Sequence, residues 1–500
     1  MWLRLASAAF DCPRFARAGA RLAAAIVLLV ALYTTVTSPD TPWWVTALTA
    51  MVFGLALWRP PVSLLAVVWL APWGERLAAV PVRATEILLF AFLAGWAVRF
   101  RKPATRDAWQ HGGVVAPALA FAAVVVVSWG RLALARSPEA SVGTALRLVP
   151  SDYLVTAGRD PHTAGALLLL LSVAVYVATL VLSRHDPALP RRVLFAVSLS
   201  SLLAAAASVV AVPITYLTTG DFNEVLRYVV ITRSRGSFHL HDVNAAGSHY
   251  ILGALLSLPF ALAPGPARTW WRAGHVVLVA ALWMSGSRAA WVAGALGAVS
   301  WFVVQRRAAR NGQLPAVSTR ALAVVAVVVL VALTASARLG SESASNGSAT
   351  RSLAIRAEFL ETSRRMWATS PVLGVGVGTY YDRSSEFMPS GIRALYGREN
   401  AHNYYVQVAT ELGVIGFVLF LWWLGAGLAR VWQSAQRHAS DGTLLAVICS
   451  CAAYLLTCVT GHPLLVVEAA VPFWASLGAG VALARLGEKS ELQSPVSSSS

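Results

Sequence analysis

The sequence predicts an all-α integral membrane protein, a polytopic bundle of about 12–14 transmembrane helices. First, 57% of the 500 residues are hydrophobic and only 13% are charged, about half the charged fraction of a soluble domain. Second, the apolar residues form runs long enough to cross a bilayer. Third, basic residues are concentrated in every second short connection between these apolar runs. Backbone in lipid must satisfy its own hydrogen bonds, and alternating barrel-type segments are absent, so the spans are predicted to be helices.

The predicted spans cover residues 20–37, 43–58, 60–72, 84–98, 114–132, 163–183, 193–217, 244–263, 272–286, 289–304, 320–337, 411–432, 442–460 and 464–485. The first is interpreted as a retained span rather than a cleaved signal peptide, because no small-residue cleavage site follows it. The second and third are short and flank Arg59-Pro60-Pro61. Residues 43–72 therefore form either two spans or a re-entrant hairpin.

The distribution of basic residues gives the orientation of the predicted spans in the membrane. With the N-terminus in the cytoplasm, every short basic connection falls on the cytoplasmic side, as the positive-inside rule expects. The extracytoplasmic side then receives three long polar segments, 133–162, 218–243 and 338–401. Arginines in long loops do not follow the orientation rule. Those in the last two segments therefore indicate a binding site for an anionic ligand.

The total charge and the cysteines exclude several classes of function. A net charge of +17 would suggest nucleic acid in a soluble protein. Here most cations lie between spans and set topology, so no nucleic-acid partner is predicted. Three of the four cysteines lie in one apolar run and Cys12 lies in the N-terminal tail. This pattern predicts neither a disulfide framework nor a metal site, and we expect no cofactor.

The largest polar loop contains a predicted amphipathic helix, Arg351–Trp367. Leu353, Phe359, Leu360 and Trp367 are roughly helix-spaced, and Arg356 is one of their polar partners. A glycine-rich stretch follows, with Gly374, Gly376 and Gly378. Its Gly-x-Gly-x-Gly string is found in nucleotide sites, but no βαβ unit surrounds it here. We interpret it as a tight turn that shapes the mouth of a site.

Three further motifs are candidates for chemistry. His402 and Asn403 precede Gly413 and Gly416; in a continuous helix, His402 and Gly413 would share one face. The structural alternative is a helix cap followed by packing glycines. Arg288 follows Ser287 between two apolar runs, where an arginine either serves function or snorkels to the interface.

The remaining motif is Arg233-Ser234-Arg235-Gly236, whose two guanidinium groups suit bidentate phosphate binding. The His239-Leu240-His241-Asp242 string that follows does not have the spacing of a zinc site, and a solvated loop is the structural alternative.

Together these segments resemble the bacterial O-antigen ligase/polymerase family. The resemblance rests on Val82–Arg99, Arg235–Asn244, Ser287-Arg288 and above all the stretch from SPVLGVGVGTY to AHNYYVQVATELGVIG, residues 370–416. It implies a membrane-embedded, inverting, metal-independent glycosyltransferase. Such an enzyme moves a glycan from undecaprenyl pyrophosphate to an acceptor hydroxyl at the periplasmic face of the inner membrane.

The resemblance also implies roles for individual residues. His402 corresponds to the essential histidine of the family, which we expect to act as general base. Arg288 and Arg235 correspond to arginines that hold the pyrophosphate, with Arg233 and Arg356 as further candidates. Asn403 is an additional candidate substrate contact.

The implied organisation has five parts. They are a cytoplasmic tail (1–19), a transmembrane region (20–337), an extracytoplasmic catalytic loop (338–403), C-terminal transmembrane helices (404–485) and a disordered cytoplasmic tail (486–500). The expected partners are the lipid-linked glycan donor, a lipid or glycan acceptor, and the membrane itself.

The sequence leaves the acceptor open. A ligase would transfer the glycan to lipid A–core, a polymerase to a growing O-antigen or exopolysaccharide, and a protein O-oligosaccharyltransferase to a protein hydroxyl. A polysaccharide transporter is the competing class, because Glu86, Glu411, His462 and Glu468 lie in or beside spans. A transporter would concentrate ionisable groups at the midplane, whereas the arginines here concentrate in the outer loops.

Overall fold

A computed structural model describes residues 29, 32–33, 41–77, 83–99, 112–136, 161–220, 237–310, 348–437 and 442–493. These residues are 85% helical and contain no strand, which confirms the predicted all-α class. The helices are α1 (Trp43–Trp58), α2 (Pro60–Leu70), α3 (Gly74–Leu77), α4 (Ala84–Arg99), α5 (Gly112–Arg136), α6 (Pro161–Leu182), α7 (Leu189–Thr219), α8 (Val243–Leu256), α9 (Leu258–Leu262), α10 (Ala267–Met284), α11 (Arg288–Arg310), α12 (Ser348–Ala368), α13 (Tyr380–Phe387), α14 (Ser390–Tyr396), α15 (Tyr404–Arg437), α16 (Thr443–Thr457) and α17 (Val467–Gln493).

Five of the described helices are long and apolar enough to cross a membrane: α5, α6, α7, α15 and α17. Helices α1 and α16 are shorter apolar helices. The polytopic membrane class is therefore confirmed. The predicted span at 320–337, and nearly all of the one at 20–37, lie outside the described residues. The total of about 12–14 spans stays a prediction.

Helices α1 to α4 address the alternatives left open for residues 43–72. At the start of α1, the Trp44 indole donates to the carbonyl of Leu77, 2.7 Å away. At the other end of α1, the Arg99 guanidinium donates to the carbonyl of Leu57 over 2.8 Å. Helix α1 and the α2–α3 segment therefore run between the same two ends of the bundle as α4. This arrangement favours two spans over a re-entrant hairpin.

The two ends of the bundle differ in the residues that they carry. At one end, Arg430 and Arg437 of α15 pair with Glu488 of α17, and the turn between α15 and α16 contacts Trp301 of α11. We call the opposite end the loop end. It carries the N-termini of α8, α11 and α15, and therefore Asp242, Arg288 and His402.

Helix α17 lies at the centre of the bundle and is buried over most of its length. The indole of Trp474 stacks on that of Trp423 in α15, with 3.9 Å between centroids and 7° between planes. Gly480 lies so close to α16 that a Cβ there would be 2.5 Å from Val447 Cγ1. Lipid supplies no hydrophobic drive between helices, so this close packing holds α15 in place.

The predicted amphipathic helix is confirmed as α12, which begins three residues earlier and ends one residue later than predicted. Phe359 and Met366 are fully buried, whereas Arg364 and Arg365 are exposed. The buried face packs on Tyr380 and Ala401. The short helices α13 and α14 were not predicted.

Candidate functional site

Three separate loops meet at the loop end around the start of α15. The backbone N–H of Tyr404 donates to the carbonyls of Cys458 and Gly461, at 2.9 and 3.1 Å. A Cβ at Gly461 would in turn lie 3.8 Å from Cβ of Asn244. The loop between α16 and α17 is thus fixed between the first residues of α15 and those of α8.

His402 lies in this junction with a strained backbone. Its φ is +50°, and among the described residues it is the one non-glycine residue whose φ is positive. Such a conformation costs an L-residue roughly 1–2 kcal/mol. The next two residues hold it: Asn403 caps α15 by accepting from the N–H of Val406 over 3.1 Å, and Tyr404 is anchored as described. A strained residue held in place by its neighbours is typical of functional sites.

The imidazole of His402 packs against side chains from other elements. Phe359 of α12 lies 5.1 Å away between ring centroids, and His462 lies 5.3 Å away. His402 Nε2 is 3.8 Å from Glu399 Oε1, and 31% of the side chain remains exposed. The ring is therefore fixed on several sides yet open to a substrate.

His462 connects the candidate base to α8. Its Nε2 lies 3.8 Å from Asp242 Oδ2. The other carboxylate oxygen of Asp242 caps α8, accepting from the backbone N–H groups of Asn244 and Ala245 at 2.8 and 3.1 Å. A helix N-terminus and its cap fix the carboxylate, so Asp242, His462 and His402 form a row of defined order.

The surroundings of His402 favour its neutral form. Burial lowers the pKa of His402, because desolvation disfavours the charged imidazolium. His462 and Arg356 lower the pKa of His402 further, while Glu399 and Asp242 raise it. Burial also lowers the pKa of His462, against the opposing effect of Asp242. Desolvation, rather than nearby arginines alone, is the main cause of the shift.

Ion pairs divide the arginines of the large loop into two groups. Four of them face carboxylates: Arg364 and Arg365 with Glu361, Arg383 with Glu386, and Arg398 with Asp382. Hydrogen bonds from the first two lower the pKa of Glu361 to about 2. Arg356 and Arg393 are exposed and contact no carboxylate in the described part of the chain. Arg356 is thus an unneutralised cation beside His402.

Arg288 begins α11 at the same end of the bundle and is exposed. The turn before it packs on α8, since a Cβ at Gly247 would lie 3.0 Å from both Ser285 Oγ and Ser287 Cβ. Gly247 is about one helical turn from the capped start of α8. The structure thus places Arg288 and His402 at one end, on elements that both contact the start of α8.

Comparison with known proteins adds the decisive observation. Residues 273–421 match the family described as O-antigen ligase (Wzy_C). This segment of the chain is similar to the O-antigen ligase family. No curated protein matches the chain at a significant level. The matched O-antigen ligase domain includes Arg288, Arg356, His402 and Asn403, whereas Asp242 and His462 lie outside it.

Arg233 and Arg235 lie outside the described residues, and the chain is described again from Ser237. Their assignment to the pyrophosphate stays a prediction. The amide oxygen of Asn403 is occupied as a helix cap, and its contact with substrate likewise stays a prediction.

The glycine-rich segment of the O-antigen ligase domain is a tight turn docked against α15. Gly374, Gly376 and Gly378 have φ values of +71°, +122° and +69°, a region that favours glycine. The N–H of Gly376 donates to the carbonyl of Glu411 over 2.9 Å. At Gly413 the helix itself is interrupted, with φ +66° and ψ −172°.

The expected shared face of His402 and Gly413 is therefore wrong. His402 precedes the helix, and Gly413 breaks it. A Cβ at Gly413 would lie 2.2 Å from the carbonyl oxygen of Val372. Gly416 lies within a turn of this break, where a Cβ would meet Leu412 Cβ at 2.3 Å. Without side chains at these glycines, the loop of residues 371–378 can pack directly against the backbone of α15.

The acidic groups near the spans have structural partners. Glu411 accepts from the N–H groups of Gly378 and Tyr380, at 2.9 and 3.2 Å. Glu86 pairs with Arg83, and the hydroxyl of Thr85 donates to Glu468 over 3.3 Å. Within the described ranges, no group of three or more His, Cys, Asp or Glu side chains is arranged to hold a metal ion.

The sequence analysis missed two contributors to the site. Glu399 contacts the candidate base, and Arg131 of α5 donates to the carbonyl of Gly374 over 2.8 Å. Both contacts depend on tertiary placement. The single available signal was an arginine at the end of an otherwise apolar span, which marks a polar contact at that depth.

Proposed function

We propose that this protein, whose residues 273–421 match the O-antigen ligase family, transfers a glycan from undecaprenyl pyrophosphate to an acceptor hydroxyl at the periplasmic face of the inner membrane. The observation that carries the proposal is the placement of His402. A strained, partly exposed histidine whose pKa is lowered lies beside the unpaired cation Arg356, inside the matched domain. A base next to a cationic surface suits attack on a lipid diphosphate ester.

The reaction proceeds by direct displacement. Neutral His402 accepts the proton of the acceptor hydroxyl as its oxygen attacks the anomeric carbon. The bond from that carbon to the diphosphate oxygen breaks, and undecaprenyl pyrophosphate departs with the electron pair. The attack comes from the face opposite the leaving group, so the anomeric configuration inverts.

Arginines supply the charge that the departing diphosphate requires. Arg288 and Arg235, with Arg233 and Arg356, donate charge-assisted hydrogen bonds to its oxygens. Donors aimed at developing negative charge are each worth a few kcal/mol of barrier, about 2.7–4 kcal/mol in a measured case. Four arginines of the described loop pair with carboxylates, whereas Arg356 lies beside His402 without such a partner among the described residues and suits this role together with Arg288.

The acidic residues argue against a transporter. Glu411 is fixed by two backbone N–H groups of the glycine-rich turn, and Glu86 is paired with Arg83. Groups held in this way maintain structure rather than carry protons between two states. We therefore propose an enzyme, and among acceptors we place lipid A–core first.

The decisive experiment reconstitutes the purified protein in nanodiscs with an undecaprenyl-pyrophosphate-linked glycan. Three acceptors are offered separately: lipid A–core, a second lipid-linked repeat unit, and a serine-rich protein substrate. We expect glycosylated lipid A–core with an inverted anomeric linkage, measured by mass spectrometry and NMR. Transfer to the second repeat unit would identify a polymerase, and transfer to protein an oligosaccharyltransferase. No transfer to any of the three would contradict the proposal.

A further inference from the structure

A cavity of about 260 Å³ opens between α6 and the first two turns of α15 at the loop end. Its polar lining consists of Arg83, Tyr381, Asn400, Gln407 and Glu411, and its apolar wall is formed mainly by leucines of α6 and α15. The lining of α6 extends from Pro161 to Leu169, roughly 12 Å along the helix axis. The cavity therefore has a polar mouth and an apolar floor.

One polar group in this cavity is unsatisfied. Gln407 is only 4% exposed, and its Oε1 accepts no hydrogen bond from the described residues. Its Nε2 donates to Asn400 Oδ1 at 3.2 Å and to Glu411 Oε1 at 3.3 Å. A buried acceptor without a donor is costly. A ligand that donates a hydroxyl would satisfy it.

The charges of the cavity select against a diphosphate. Among the described residues of its lining, the one arginine is Arg83, which already pairs with Glu86 over 3.2 Å, and the carboxyl group of Glu411 is buried in the lining. A strongly anionic ligand would meet little free positive charge there. Amides, a phenol and a carboxyl group instead supply both donors and acceptors, which match the hydroxyls of a sugar.

The cavity also lies next to the candidate base. Asn400 and Tyr404 line it and flank His402 by two residues on either side, so its edge is within about 7 Å of the His402 backbone. The His402 ring itself faces Phe359 and His462. The base thus lies next to this cavity and within electrostatic reach of Arg356 in α12.

We propose that this cavity binds the terminal sugar of the acceptor, with a sugar hydroxyl donating to Gln407 Oε1. The inference rests on the proposed glycosyl transfer and adds the acceptor subsite to it. Its volume is below the ~300–1,000 Å³ of pockets for larger ligands. The cavity holds one small sugar unit. The sugar hydroxyl next to the one that binds Gln407 then faces His402.

Two variants test the subsite by different means. Gln407→Leu removes the amide, and Ala164→Leu fills the cavity from α6 without removing a polar contact. Each has a matched control on the same helix: Gln433→Leu for the first, at an exposed position of α15, and Ala174→Leu for the second, at a half-exposed position of α6. Neither control residue lines the cavity.

Transfer kinetics give the first readout. We expect the KM for the acceptor to rise about tenfold in both test variants. In Gln407→Leu this corresponds to the loss of one hydrogen bond to a sugar, and in Ala164→Leu the added side chain occupies space that the sugar needs. The KM for the donor and kcat at saturating acceptor should stay within about twofold, and both controls should match the unmodified protein. An unchanged acceptor KM in both test variants, or an equal rise in donor KM, would overturn the subsite.

Binding without donor gives the second readout and separates the two proposals. Saturation-transfer NMR is recorded with de-acylated lipid A–core oligosaccharide and with a free repeat-unit oligosaccharide. We expect a signal with the unmodified protein that is lost in Ala164→Leu. Binding without any transfer would support the acceptor subsite and contradict the proposed function. Transfer that Ala164→Leu leaves unchanged would support the proposed function and contradict the acceptor subsite. Absence of binding by both saccharides would overturn the subsite.

Discussion

The imidazole rings of His402 and His462 lie 5.3 Å apart between centroids, at an angle of 51°. They belong to different loops and are joined by the backbone contact of Tyr404 with Cys458 and Gly461. Two imidazoles this close disfavour double protonation. His462 is therefore placed to keep His402 neutral, and the pH dependence of transfer should show it.

The first prediction concerns the acid limb of the pH profile of kcat/KM. Because the pKa of His402 is lowered, its base form persists below the ordinary value of 6.5, and activity should fall only below that pH. The facing groups are His462, Glu399, Arg356 and Asp242. His462→Gln removes a group that lowers the pKa of His402, so the limb should move to higher pH.

Glu399→Gln is the internal control for that prediction. Glu399 raises the pKa of His402, so its removal should move the acid limb to lower pH. Opposite displacements in the two variants are expected from electrostatics and not from loose structure. If both limbs moved the same way, the assignment of the limb to His402 would fail.

The second prediction separates strain from catalysis at His402. His402→Ala and His402→Gly should each lower kcat by about 100–10,000-fold, because both lack the base. Their stabilities should differ. Glycine relieves a φ of +50° that costs roughly 1–2 kcal/mol but adds about 0.4–1 kcal/mol of unfolded-state entropy. We expect the glycine variant to be more stable than the alanine variant by about 0.5–1 kcal/mol.

Thermal unfolding in detergent measures this difference. The unmodified protein provides the reference for both variants. An alanine variant that is more stable than the glycine variant by about 0.4–1 kcal/mol would show that the backbone at residue 402 carries no strain. Full activity in either variant would refute the assignment of His402 as the base.

The third prediction concerns the break in α15. Gly413→Ala should destabilise the protein by about 2 kcal/mol or more, since it combines positive φ with a backbone clash. A Cβ there would lie 2.2 Å from Val372 O and 2.5 Å from Gly374 N. Gly425→Ala on the same helix is the control, because no atom lies within 4 Å of its new Cβ. That variant should unfold at or above the temperature of the unmodified protein.

Periodicity and composition were sufficient for much of this fold. Apolar runs predicted the spans, and apolar residues at helical spacing predicted α12. Both signals are local to the segment. The break at Gly413 was not predictable in this way. A glycine in an apolar run is compatible with helix packing, and only the docked loop of residues 371–378 makes positive φ favourable there.

The candidate site was predictable residue by residue but not as an arrangement. The family resemblance selected His402 and Arg288, yet it said nothing of Glu399 or of the row from Asp242 to His462. The charge count also overstated the cationic surface, because Glu361 pairs with both Arg364 and Arg365 and offsets one of their two charges. Pairing across a helical turn depends on which side chains face each other, and the loop total does not contain that information.

The fourth prediction concerns metal dependence. If arginines alone stabilise the departing diphosphate, EDTA should leave the transfer rate within about twofold of its value in added Mg²⁺, since no divalent ion shares the charge. The measurement is product formation in nanodiscs after exhaustive chelation. A matched assay with Arg288→Ala and added Mg²⁺ controls for rescue. Strict dependence on Mg²⁺ or Mn²⁺ would remove the arginine account.

The fifth prediction concerns Arg288. Its guanidinium presents a rigid fork of donors to phosphate oxygens, whereas lysine offers a single rotating ammonium. Arg288→Lys should therefore lower kcat/KM for the donor even though the charge is kept, and Arg288→Ala should lower it further, by about 100-fold or more.

Arg393→Ala is the matched control for this series. Arg393 is an exposed arginine of the same loop end that contacts no carboxylate among the described residues, and its removal lowers the local charge equally. A site that merely collects anions through net charge would respond to Arg393→Ala as it does to Arg288→Ala. A site that binds one diphosphate at fixed geometry responds to Arg288→Ala but not to Arg393→Ala, and steady-state kinetics with varied donor separate the two. Equal losses in both variants would reduce Arg288 from a ligand of the diphosphate to one charge among several.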